Sequence, residues 1–106
     1  MTQLAEKVDV FQAIADPTRR QVLQLLAASD KPIAHISNYF TISRTAVVKH
    51  LHILEQAELV SAQKKGREKI YTLHIDRLKE IEDWLHYFDL FWDNKLAQLQ
   101  TMIEND

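Results

Sequence analysis

The chain of 106 residues contains one glycine, Gly66, set inside the basic run Lys64-Lys65-Gly66-Arg67-Glu68-Lys69. Glycine takes the positive φ of a tight hairpin without a Cβ clash, so the backbone is expected to reverse here. The segments on either side, Leu59–Gln63 and Ile70–His74, carry the β-branched, aromatic and alternating residues of short strands. A hairpin with a cationic tip is therefore the one β element that the sequence demands.

Just upstream, Ser43 reads as the N-cap of an amphipathic helix that reaches Leu54. Val47, Leu51 and Leu54 repeat at four and three residues and define its core face. Thr45, Val48, Lys49 and His52 then share the opposite face, with Arg44 at the helix start. Short side chains mixed with cations suit a helix that approaches base edges closely. A helix of this kind followed by a basic hairpin is the arrangement of a winged helix-turn-helix, in which Arg67 at the tip meets phosphate or a narrow minor groove.

A formal net charge of −2 argues against a nucleic-acid partner until it is divided along the chain. Residues 31–75 hold seven Lys/Arg against three acids, giving +4; residues 76–106 hold three bases against eight acids, giving −5; residues 1–30 contribute −1. A basic middle can face phosphate while an acidic tail stays clear of it. The absence of cysteine excludes disulfides, thiolate metal sites and cysteine nucleophiles. No glycine-rich phosphate loop and no carboxylate pair held in a cleft by its spacing is present, so no enzyme is expected. No apolar run approaches the roughly 20 residues of a membrane span, and a cytoplasmic protein of one domain, residues 1–106, is expected.

The remaining helices follow from periodicity and caps. Leu4, Val8, Phe11 and Ile14 form one apolar stripe of a helix expected over residues 3–15. Asp16-Pro17 supplies an N-cap and a favoured first residue for a helix from Pro17 to Ala28. Ser29–Pro32 is expected to be a turn, Ile33, Ile36 and Phe40 mark a short third helix, and Thr41-Ile42 is the tight connection of the helix-turn-helix. From Asp76, a good N-cap, to Ile103 there is neither Pro nor Gly, and Leu78, Ile81, Leu85, Phe88, Trp92, Leu96, Leu99 and Ile103 recur at three or four. One helix over that length would measure about 40 Å, longer than so small a domain is wide. It also carries Trp84, Tyr87, Phe88, Phe91 and Trp92, five of the nine aromatics. Such an apolar load predicts a homodimer through Leu4, Val8, Phe11, Leu85, Phe88, Trp92, Leu96 and Leu99, with residues 1–15 and 76–106 as the interface and 17–75 as the DNA-binding core.

Four collinear motifs, Asp16-Pro17-Thr18-Arg19-Arg20, Ile42-Ser43 leading to Val47-Val48-Lys49-His50-Leu51, Leu54 to Val60, and Lys65-Gly66-Arg67 to Leu73, resemble the ArsR/SmtB type of winged-helix repressor. The segment Phe91–Leu99 is similar to the branch that lacks metal-binding cysteines. The resemblance implies a mainly α fold with a two-stranded β-hairpin wing and a long C-terminal dimerisation helix. It also implies a dimeric repressor on a palindromic double-stranded operator, released by an unknown inducer. Ser43, Arg44, Thr45, Val48, Lys49, His52, Lys64, Lys65 and Arg67 are the residues assigned to DNA. The chain departs from the pattern at Thr41 and Glu58, where members often have glycine, and at Val48, which exchanges a polar contact for one suited to a thymine methyl. A left-handed Glu58 would cost about 1 kcal/mol or more relative to glycine.

Glu82, His86, Asp89 and Asp93 fall on one helix face and read as a solvated acidic surface, the alternative being a metal-responsive repressor with a site on the C-terminal helix. No cofactor is expected, and zinc, nickel, copper and arsenite are expected not to regulate DNA binding. His50 is expected to be partly buried behind the DNA-facing helix. A winged-helix module that binds protein instead of DNA is the other alternative, and the Arg44, Lys49 and Arg67 cluster argues against it.

Overall fold

Local capping chemistry places most of the elements in the computed structural model, which describes residues 8–104. Helix α1 spans only Val10–Ala13. It starts late because Asp9 caps it: its carboxylate accepts the Phe11 amide at 2.6 Å, and the Gln12 side chain returns to the Asp9 amide at 3.0 Å. The helix expected over residues 3–15 is thus interrupted at Val8 and Asp9 and ends at Ala13, and the part of it over residues 3–7, Leu4 included, lies outside the described residues. Helix α2 runs Pro17–Ala28 as expected, with the Asp16 carboxylate accepting the Arg19 amide at 3.1 Å.

The segment Lys31–Pro32, expected to turn, is instead a short strand, β1. It pairs antiparallel with β3 (Glu68–Leu73) through Lys31↔Tyr71 and Pro32↔Ile70, and β3 pairs on its other side with β2 (Val60–Lys65). The wing is therefore a three-stranded antiparallel sheet of order β1-β3-β2, with the proline confined to an edge strand, where a missing amide donor is tolerated. The hairpin strands are also displaced toward the tip relative to the sequence expectation, so Lys64 and Lys65 lie in a strand and only Gly66-Arg67 turns. Gly66 adopts φ +64° at the first turn position, the type II′ pattern.

Helices α3 (Ile33–Asn38) and α4 (Arg44–Gln56) complete the helix-turn-helix, and the Ser43 hydroxyl accepts the Ala46 amide to cap α4. Val22, Leu23 and Leu26 of α2, Ile33 and Ile36 of α3, Val47, Leu51 and Leu54 of α4, and Val60 and Tyr71 of the sheet close one buried core. Helix α4 ends in a Schellman motif: the Leu59 amide returns to the Leu54 carbonyl at 3.0 Å, the Glu58 amide to Glu55 at 2.9 Å, and Glu58 takes φ +62°. That left-handed residue is the one anticipated at a position where glycine belongs. Glu58→Gly is therefore expected to stabilise the fold by about 1 kcal/mol, raising Tm by several degrees at fixed protein concentration. The Arg77 pair it forgoes is 4.0 Å long and half-exposed, too weak to offset this. An unchanged or lower Tm in calorimetry would show that the backbone strain is absent.

Beyond the wing, a 3₁₀ turn (Ile75–Leu78) leads into α5 (Lys79–His86) and α6 (Asp89–Glu104). Asp76 sits inside that turn and caps nothing, a correction to the expected helix start. The single helix expected over residues 76–103 is likewise divided at Tyr87-Phe88, where the Tyr87 amide is shared between Asp83 at 3.3 Å and Trp84 at 3.2 Å and the Phe88 amide bonds only three residues back, to Leu85 at 3.0 Å. Phe11 of α1 meets Trp84 edge-on at 5.5 Å between ring centroids, and Trp84 meets Phe88 at 5.1 Å, which joins α1 to α5. Helix α6 buries no residue against the rest of the chain. No helix among the described residues is long and apolar enough to cross a membrane.

Candidate nucleic-acid interface

The zero exposure of Val47, Leu51 and Leu54 fixes the rotation of α4, and this turns Arg44, Thr45, Val48, Lys49 and His52 to solvent together with Ser43. Val48 is 42% exposed, a large value for a valine facing no partner within its own chain. His50, on the flank, is half-buried as expected, and it meets the start of α2.

The strand register decides what the wing offers. Val60, Ala62 and Lys64 of β2 share one face with Lys69, Tyr71 and Leu73 of β3, and its base is the core. Lys64 and Lys69 are thus directly opposite each other on the side facing α4. A like-charge cross-strand pair is destabilising by itself, so the fold does not account for this one. Lys69 lies with its ammonium 5.8 Å from the Tyr71 ring centre, and both line an open groove with Val48, Lys49 and His52. Burial pushes the Tyr71 phenol above its ordinary value, against the pull of the Lys69 ammonium. Lys65 falls on the opposite face, across from Glu68. Arg67 is exposed at the turn.

Of the residues assigned to DNA from the sequence, Val48, Lys49 and His52 therefore converge on one groove, Lys64 adjoins it, and Lys65 points away. Sequence reasoning misses Lys69, although counting two-residue alternation across a Gly66-Arg67 turn puts it opposite Lys64. It also misses Arg19 and Arg20. Arg19 donates Nε to the Ala13 carbonyl at 2.6 Å and Nη2 to Gln12 at 3.1 Å, and Arg20 donates Nη1 to Ile14 at 2.8 Å. Both arginines of the Asp16–Arg20 motif thus bond carbonyls at the C-terminal end of α1, and the Gln12 carbonyl also accepts the Ala15 amide at 3.2 Å.

Asp16 lies below its ordinary carboxylate value: partial burial raises it, but hydrogen bonds from the Arg19 and Thr18 amides and the neighbouring positive charge outweigh that. Its contribution to stability is present above that ordinary value, 3.8, and is lost as pH falls through the depressed folded value. On the C-terminal arm, His86 Nδ1 stands 2.6 Å from Asp89 Oδ2, and this hydrogen bond raises the imidazole pKa. Among the described residues no group of three or more His, Asp or Glu side chains is placed to hold a metal ion.

A helix-turn-helix whose second helix shows a cationic solvent face beside a basic three-stranded wing defines a winged-helix DNA-binding protein. Residues 16–62 match the family of bacterial regulatory proteins described as arsR. The transcriptional repressor SdpR of Bacillus subtilis is 40% identical over 88 residues, which covers 83% of this chain and 98% of that protein. The crystal structure of the ArsR family transcriptional regulator RHA00566 superposes with a TM-score of 0.71 at 30% identity, over 78% of this chain and 91% of that one. An ArsR-like transcriptional regulator from Rhodococcus superposes at 0.67 with 31% identity, over 88% of each chain. The chain belongs to the ArsR family and is a DNA-binding transcriptional regulator, a family whose members bind operator DNA and typically act as dimers.

Proposed function

We propose that this chain is a homodimeric repressor that acts in the cytoplasm on a two-fold symmetric operator, without enzymatic activity and with an inducer as the agent of release. The observation that carries the proposal is the C-terminal arm. Leu90, Phe91, Trp92, Leu96, Leu99, Met102 and Ile103 are each more than half exposed on a helix that buries nothing in its own chain. An apolar surface of that extent requires an equally apolar partner, and a second copy provides one by two-fold symmetry. Two α4 helices would then be presented to successive major grooves about 34 Å apart. The likeness to SdpR, itself a repressor, supports the sign of regulation. Footprinting on a duplex selected from a randomised pool is expected to show two inverted half-sites centred about 10 base pairs apart. Protection of one asymmetric half-site would overturn the symmetric dimer.

A further inference from the structure

The Arg19 guanidinium joins three elements. Its Nε and Nη2 hold the Ala13 and Gln12 carbonyls at the end of α1, and its Nη1 lies 3.3 Å from His50 Nδ1 on α4. Arginine is charged at all working pH values and only donates, so His50 Nδ1 must be the acceptor and the imidazole proton must sit on Nε2. His50 immediately follows Lys49, and its half-buried side chain anchors the flank of the helix whose outer face carries Val48, Lys49 and His52. Asp16 stands on the same imidazole at 3.9 Å, outside hydrogen-bond distance.

We propose that Arg19 is a positioning residue for DNA binding, its guanidinium locking α4, through His50, to the end of α1. Helix α1 in turn touches the C-terminal arm through Phe11 and Trp84. A continuous run of packed and hydrogen-bonded groups therefore connects the arm to the DNA-facing helix: Trp84, Phe11, the α1 carbonyls, Arg19, His50. The sequence hides this role, because arginine in a helix-turn-helix protein invites assignment to phosphate. Here three of its five donors are already engaged within the protein.

The proposal rests on the DNA-facing role of α4, and the test separates the two. Operator affinity is read by fluorescence anisotropy on a duplex selected from a randomised pool by the unmutated protein, with Tm and the dimer constant measured beside it. If the unmutated protein selects no duplex, the DNA-facing role of α4 itself fails. His50→Leu removes only the acceptor on α4 and is expected to weaken operator binding about tenfold with the dimer constant unchanged. His50→Asn, whose Oδ1 can take the place of Nδ1 as acceptor, is expected to recover most of that loss. Arg19→Lys should match His50→Leu, and the double variant should be no worse than either single one, because both remove the same link. Parent-like affinity in His50→Leu, an Asn variant no better than the Leu variant, or additive losses would each overturn the proposal.

Discussion

Trp92→Asp is expected to yield a folded monomer at micromolar concentration whose operator affinity is lower by two to four orders of magnitude. The single chain is far from spherical: its radius of gyration is 19.2 Å and its long axis 68 Å, where about 13 Å would suit a compact chain of this length. The excess is the C-terminal arm. Helix α6 has 16 residues, none buried, and Trp92 is 62% exposed on it. Burying the exposed part of Trp92 in an interface contributes about 2 to 4 kcal/mol from its area. An aspartate there forfeits that and adds the desolvation of an unpaired carboxylate, and two-fold symmetry applies the penalty twice. Because Trp92 touches nothing in the core, the circular dichroism of the helix-turn-helix should persist. Sedimentation velocity decides the matter: a variant that stays dimeric would place the interface elsewhere, and a parent that is monomeric would remove the dimer altogether.

The contrast between what is legible in the sequence and what is not follows the range of the interactions. Helix α2 is legible to the residue because Asp16 and Pro17 act within one turn. The left-handed Glu58 is legible through the family resemblance, which puts it where members often have glycine, and the Schellman bonding gives the physical reason for that preference. Strand β1 is not, because two residues have no period and Lys31–Pro32 becomes a strand only by pairing with β3. Nor is the division of the C-terminal helix, since Tyr87 and Phe88 are unremarkable in a helix and only their amide bonding shows the change. The exposed face of α4 can be counted from Val47, Leu51 and Leu54. The place of Lys69 needs the strand register, and the acceptors of Arg19 are backbone carbonyls that carry no residue signature.

The two surfaces beside the groove are expected to respond differently to truncation. Lys49, one residue on from the exposed Val48, projects from the middle of α4, where its ammonium can donate to guanine O6 or N7 in a major groove. Lys49→Ala should cost about 1 to 3 kcal/mol per half-site on the selected operator and little on scrambled duplex, so its signature is reduced discrimination. Arg67 sits in a two-residue turn at the end of the wing, next to the opposed Lys64 and Lys69. From there it reaches phosphate or minor groove, neither of which distinguishes most sequences. Arg67→Ala should therefore weaken operator and scrambled DNA by similar factors. It should also make the salt slope shallower by about one unit for each phosphate that is no longer neutralised, or about two in a dimer. Lys69→Ala should behave like Arg67→Ala if the like-charge pair holds a phosphate, and should raise stability slightly in the absence of DNA by relieving the repulsion from Lys64. Anisotropy titrations over a range of salt on both duplexes separate these outcomes. If all three variants bind both duplexes as the parent does, the groove between α4 and the wing is not where this protein holds DNA.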